Sequence, residues 1–398
     1  MIYTDEFFDS SIDRRGSRSS KWDGCNAKFG VPENAELLPM WIADMDFRSP
    51  EEVAEAITRR AEAGIYGYTI RPDSFYECIT NWVMRRYGWE AEKEQIVFTP
   101  GVVPGLHIAV QSLTEPGDGI IVQTPVYYPF MEAGQNTGRK VEINRLTEDE
   151  DGWHMDFEDL EMKASQPQNK LMILCNPHNP VGRAWSAEEL SRVAEICLKN
   201  GVFLVSDEIH ADIIMNGAKH TAVCSLSEKY RDCTLTCYAP SKTFNLAGLQ
   251  TSYFIIPNGS IREKFLAGLS ANRVFNINCF GGVALEAAYT HCEGYVKALC
   301  SYVDANMDFM KKYIDERLPE LSMRKPEATY MAWVDFRRTG MKTEEIEDFI
   351  IHQAHIAPDM GSWFGPGGAG FLRFNLACPR RTVARALTQL EKALHFKH

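Results

Sequence analysis

The chain has 398 residues, 45% of them apolar and 24% charged, and carries a net charge of −12. At roughly 150 residues per domain this length suggests two to three domains, and the composition is that of a globular rather than a disordered protein. The acidic balance argues against nucleic acid as a partner, because phosphate neutralisation needs a basic face, and against adhesion to anionic lipid. No apolar run approaches the ~18 residues of a membrane span. The start, Met1 to Glu6, lacks the basic and apolar regions of a secretion signal, so a cytoplasmic location is expected. The 11 cysteines are scattered, mostly in apolar stretches such as Leu174-Cys175, and read as reduced buried thiols. Cys233 and Cys237 have no second pair nearby, so no metal site is expected.

In chain order, a first helix is expected after Ser49-Pro50, with Ser49 as N-cap and Pro50 at the first helical position, and a second over Asp73 to Tyr87. Apolar runs of strand length follow at 96–98, 119–123, 171–175, 202–206, 234–238 and 253–256. Their lack of strict alternation fits strands buried on both faces of a parallel sheet. Between them Ser186-Ala-Glu-Glu189 forms a capping box that opens a helix ending near Gly201. Beyond residue 290 come a long helix (Tyr295 to Arg317), a strand (Tyr330 to Phe336), a helix near 343–353, a strand (Phe371 to Asn375) and a final helix from Thr382. The expected organisation is a large α/β domain over 46–288 and a smaller α+β domain over 289–398. The N-terminal segment 1–45 wraps around the body and contributes to the small domain.

Several motifs follow the apolar strands. Lys242 lies after the run 234–238 among small residues, where desolvation would make its amine nucleophilic; taken alone, a surface loop lysine is the stronger reading. Asp207 and His210 end the run 202–206, at the carboxyl edge where open α/β sheets bind ligands; alone, Asp207 could simply cap a helix. Asn179 sits in Asn176-Pro-His-Asn-Pro180, a loop of defined shape or a mere turn, with a cis Asn179-Pro180 bond expected. Gly101, before a helix, offers the amides of Val102 and Val103 to an anion. Gly365 to Gly370 spells G-x-G-x-x-G, but a strand follows where a dinucleotide site needs a helix. Arg373 in that strand can fork onto a carboxylate or serve a structural ion pair. His352 and His355 share a predicted helix but lack a third ligand.

The order Asn-Pro-x-Asn-Pro-x-Gly, Ser-Asp-Glu-Ile-His, Ser-Lys-Thr-Phe-Asn and a late-strand Arg resembles the fold-type I pyridoxal-phosphate (PLP) enzymes of the aminotransferase class I/II superfamily, over essentially the whole chain. Within it, Pro39-Met-Trp-Ile-Ala-Asp-Met-Asp-Phe47, Gly67-Tyr-Thr69 and Thr124-Pro-Val-Tyr-Tyr-Pro-Phe130 are similar to the MalY/PatB-type C–S lyases, the cystathionine β-lyases. The resemblance implies a large domain with a mostly parallel seven-stranded sheet flanked by helices. It implies that Lys242 bonds to PLP and acts as the base, that Asp207 pairs with the ring nitrogen, and that Asn179 and His210 reach the ring hydroxylate. Tyr127 would stack on the ring, while Val102, Val103 and Ser241 hold the phosphate. Tyr68 would come from the neighbouring subunit of a homodimer and join the catalytic groups. Arg373, with Ile42 and Asn179, would bind the substrate, and Trp41, Tyr68 and Trp363 would shape its pocket.

One departure stands out: many aminotransferases place Arg eight residues after the lysine, and this chain has Gln250. The C–S lyases share that lack. The implied reaction is β-elimination from L-cystathionine or related cysteine S-conjugates to pyruvate, ammonia and a thiol. Transamination on the same cofactor, and a regulatory role through protein–protein contact, are the alternatives.

Overall fold

The computed structural model describes residues 3–10 and 12–395. Met1, Ile2 and Ser11 of the N-terminal segment, and residues 396–398, lie outside the described residues. The apolar runs become strands because both faces find cover. In chain order these are β1 (Ile96–Thr99), β2 (Gly119–Val122), β3 (Lys140–Ile143), β4 (Asn169–Cys175), β5 (Phe203–Asp207), β6 (Thr234–Tyr238) and β7 (Ser252–Ile255). They form one seven-stranded sheet in the order β1-β7-β6-β5-β4-β2-β3, parallel except for β7, which runs against both neighbours. Strand β3 escapes the sequence pattern because it is an edge strand. Its Lys-Val-Glu-Ile alternates charge with apolar side chains and is only partly buried.

The helices begin largely where the local chemistry directs. Helix α1 (Glu51–Glu62) starts one residue later than expected: Pro50, with an extended ψ of 145°, occupies the cap position, and no side chain caps the helix. Helix α2 spans Asp73–Tyr87 and stops at Gly88 in the left-handed conformation. Helix α3 (Val102–Leu113) follows β1 directly. The capping box of α4 (Ala187–Asn200) forms in full: the Glu189 amide donates to Ser186 Oγ at 3.1 Å, and the Ser186 amide donates to Glu189 at 2.8 Å.

Beyond residue 290, α5 (Glu293–Arg317) leads into a four-stranded antiparallel sheet. Its strands are β8 (Ser322–Met323), β9 (Met331–Asp335), β10 (Asp359–Met360) and β11 (Phe371–Asn375), in the order β8-β9-β11-β10. Helix α6 (Thr343–His352) and the terminal α7 (Arg380–His395) accompany it. His355 lies past the end of α6 with a φ of 55°, so the expected histidine pair does not share a helix. No cluster of metal-ligating side chains occurs among the described residues. All 11 cysteines are free thiols, and no described helix is long and apolar enough to cross a membrane.

The N-terminal segment is tied to the far end of the chain. Leu38 and Pro39 pair in parallel with Ile356 and Ala357, and Phe8 packs on Phe47, Tyr295 and Tyr302. The turn after β10 is equally tight. A Cβ on Gly361 would lie 2.1 Å from the Gly368 carbonyl oxygen and 2.3 Å from that of Phe371. Both contacts are backbone, which cannot rotate away. Gly361→Ala is therefore expected to destabilise the protein by about 3 kcal/mol in urea denaturation; a change under about 0.5 kcal/mol, the level of a neutral surface substitution, would contradict this packing.

Candidate active site

The carboxyl ends of the parallel strands converge on one cavity of about 190 Å³. Each strand hands over a short loop there. β1 contributes Pro100 to Pro104, β4 contributes Cys175 and Asn179, β5 contributes Asp207, Ile209 and His210, and β6 leads to Ala239, Ser241 and Lys242. This is the crevice outside the strand ends where open α/β sheets accommodate ligands. Of the residues singled out from sequence, Val102, Val103, Tyr127, Asn179, Asp207, His210, Ser241 and Lys242 all line it. The Thr124-Pro125, Asn176-Pro177 and Asn179-Pro180 peptide bonds are cis.

Burial controls the electrostatics. The Lys242 amine is pushed down to about 8, first by desolvation and then by the Arg373 charge. Its Nζ donates to the Ala43 carbonyl at 2.9 Å. Asp207 is pushed up to about 7 by burial, opposed by a hydrogen bond from the Ile209 amide at 3.1 Å. His210 is held well below its ordinary value by burial and by the nearby Lys242 and Arg373 charges, so its imidazole is neutral. Its Nδ1 is buried without a hydrogen-bond partner among the described residues. At its N-terminus, beside Gly101, α3 presents the Val102 and Val103 amides.

Arg373 is not among the lining residues and adjoins the cavity through Asn179. Its Nη1 donates to Asn179 Oδ1 at 2.9 Å and its Nη2 to Asp359 Oδ2. Sequence reasoning missed Asp359, because Ala-Pro-Asp-Met reads as a loop. Its two-residue strand is visible only through pairing, which sets Asp359 directly opposite Arg373. Ala43 was missed too: it acts through its carbonyl, which no side-chain pattern reveals. Ile42 does not line the cavity; its side chain is partly buried against the main core. Tyr68 is also outside the cavity, 95% exposed.

The loop 42–46 that carries Ala43 is held from several directions. Arg14 reaches Asp44 and Asp46, and the fully buried Lys21 pairs with Asp46 at 2.8 Å. Asn245 bonds the Met45 backbone. Tyr330 donates to the Ala43 carbonyl, and Asn375 donates to those of Ile42 and Asp44. Glu208 faces away from the cavity and accepts from Ser206, Tyr238, the Val223 amide and His220.

The family model for aminotransferase class I and II matches residues 36–390. The chain is 43% identical to cystathionine beta-lyase PatB of Bacillus subtilis, over 97% of this chain and 99% of the relative. It is 30% identical to protein MalY of Escherichia coli, over 97% and 98%. Among solved structures it is similar to cystalysin from Treponema denticola, which contains a pyridoxal 5′-phosphate cofactor, with 37% identity, a TM-score of 0.96 and coverage of 100% of both chains.

The raised carboxyl of Asp207 has a measurable consequence. Unfolded, it releases its proton near pH 4; folded and free of ligand, it holds it to about 7. Its stabilising contribution is thus complete below pH 4 and is lost as the pH rises through 7. Asp207→Asn, which cannot ionise, is expected to exceed the ligand-free wild type in stability at pH 8, by on the order of 4 kcal/mol, and to lose that advantage by pH 4. Urea denaturation at the two pH values checks this; a difference that does not vary with pH would contradict it.

Proposed function

The chain belongs to the aminotransferase class I and II family, and on that basis we propose that it is a pyridoxal-phosphate-dependent C–S β-lyase acting on L-cystathionine or related cysteine S-conjugates. The observation that carries the lyase reading is the 43% identity to a cystathionine beta-lyase over nearly the full length of both chains. The cavity fits the cofactor. It holds an amine depressed toward neutrality, a buried carboxyl without a cation of its own, a buried imidazole nitrogen without a partner, and a helix N-terminus suited to a phosphate.

When bound, PLP supplies an electron sink for the pair left as the substrate's Cα–H bond breaks. The chain's own residues do the rest. Lys242 would hold the cofactor and would take the Cα proton; an amine near 8 is matched to that work at neutral pH. Asp207 keeps the ring nitrogen protonated. Asn179 and His210 would donate to the ring hydroxylate, Tyr127 would stack on the ring, and Ser241 would join the amides of Val102 and Val103 on the phosphate. Arg373 would receive the substrate carboxylate. Loss of the β-thiolate and uptake of one water would account for the thiol, pyruvate and ammonia as products.

Tyr68 completes the site from a second copy of the chain. Ile65, Tyr68 and Ile70 are 77%, 95% and 82% exposed, and such a patch of large apolar side chains on one segment supports a homodimer interface. Residues 1–45 and 289–398 act together as the small domain beside 46–288; the pairing of Leu38-Pro39 with Ile356-Ala357 supports that division. The buried free thiols fit a cytoplasmic location.

The purified protein with PLP and L-cystathionine is expected to release pyruvate with no 2-oxo acid added, and Lys242→Ala to abolish it. Amino transfer that depends on an added 2-oxo acid, without pyruvate release, would replace the lyase by an aminotransferase. The shared site is tested by complementation. Lys242→Ala and Tyr68→Ala homodimers are each expected to be nearly inactive. Co-expressed, they form hybrids with one intact site, returning about a quarter of wild-type activity. Recovery of none would remove Tyr68 from the partner's site.

A further inference from the structure

We propose that Asp359 makes this site discriminate against anionic leaving groups, so that it favours cysteine S-conjugates whose thiol portion is neutral, zwitterionic (as in cystathionine) or cationic over those whose thiol portion carries a net negative charge. The proposal rests on the lyase reading above.

Two independent features leave the site short of positive charge. The first is at the substrate end. Asp359 is 4% exposed and stands directly across the β10–β11 ladder from Arg373, so the two side chains share a face. Arg373 already gives Nη2 to Asp359 and Nη1 to Asn179, while its Nε has no partner among the described residues. A carboxylate arriving on that guanidinium finds it neutralised, and two carboxylates then share one cation. The second feature is at the opposite end, where Gln250 and Thr251 line the cavity and no arginine does. Lys242 is the one cationic side chain among the lining residues, and His210 is held neutral by burial.

The Asp359 charge is felt across the cleft, at Lys242, Tyr127 and Tyr128. Burial pushes the Asp359 carboxyl up, and the charge and hydrogen bond of Arg373 oppose this first, followed by Lys28, an exposed side chain 4.5 Å above the Trp363 ring, and Lys242. With cofactor phosphate and substrate carboxylate both in place, the cleft carries an excess of negative charge. A further anion beyond the sulfur is repelled and a cation attracted, in a low-dielectric space where screening is weak.

The test compares S-(2-aminoethyl)-, S-ethyl- and S-carboxymethyl-L-cysteine, read as kcat/KM for pyruvate release in the wild type and in Asp359→Asn. Intrinsic leaving-group ability cancels when the aminoethyl-to-carboxymethyl ratio is compared between the two proteins. That ratio is expected to fall by about tenfold in the variant, with S-ethyl-L-cysteine between the two. A fall of less than about threefold overturns the proposal. Asp359→Ser provides a second neutral side chain should the Asn variant not fold. The wild type also answers alone, by calorimetric binding of L-asparagine and L-aspartate, near-isosteres that differ by one negative charge. Asparagine is expected to bind more tightly, and equal or tighter binding of aspartate overturns the proposal. Absence of pyruvate from all three conjugates would instead remove the lyase reading, with calorimetry still deciding the charge discrimination.

Discussion

Desolvation of a lysine and an aspartate in one cavity is the constraint around which the molecule is built. Lys242 and Asp207 are both displaced toward neutrality by burial, in opposite directions. Neither shift would survive at a surface, where water restores the charged forms. The sheet provides the dry floor. Strands buried on both faces bring loops from β1, β4, β5 and β6 to the same edge, and helices cover what is left. The chemistry proposed for the site depends on this first. An amine that stayed fully protonated at neutral pH could neither attack a carbonyl nor accept a proton.

Positive charge is rationed in and beside that cavity. Arg373 is shared between Asn179 and Asp359 before any substrate arrives, and Gln250 stands at the opposite end. Much of the anion binding therefore falls to dipoles: the α3 amides, the Ser241 hydroxyl and, in the proposed dimer, a phenol from the second subunit. Dipoles hold an anion without adding net charge, so the site can remain selective about what else it admits.

Much of this was legible in the sequence because strand ends carry local signals. The runs before Asn176, Asp207 and Ser241 could be recognised as buried strands, and the residues just after them could be expected at one edge. What was not legible depended on pairing across the chain. Strand β3, whose Lys-Val-Glu-Ile offers no continuous apolar run, and Asp359, in a two-residue strand set by its pairing with β11, carry no local signal. Ala43 matters through its backbone oxygen, which carries no signature in side-chain type. Ile42, expected in the substrate site, leaves the cavity wall to its neighbour, because its carbonyl is drawn to Asn375 and its side chain to the core. Ser49 lost its expected cap because Pro50 takes the cap position, one residue later.

The hold on the loop 42–46 has a consequence for biosynthesis. Its partners are Arg14 and Lys21 upstream, Asn245 in mid-chain, and Tyr330 and Asn375 near the C-terminus. On a ribosome, the loop emerges among the first fifty residues and then waits for more than three hundred others before its last hydrogen bonds can form. The strands flanking Lys242 can assemble earlier, since they span a continuous stretch of chain. The nascent protein would therefore hold a formed sheet while the loop that carries Ala43, the carbonyl partner of Lys242, still lacks its bonds from Tyr330 and Asn375. Such long-range closure is slow and leaves apolar surface open in the meantime. A chain ending before residue 375 would carry Lys242 beside a loop that lacks its Asn375 hydrogen bonds.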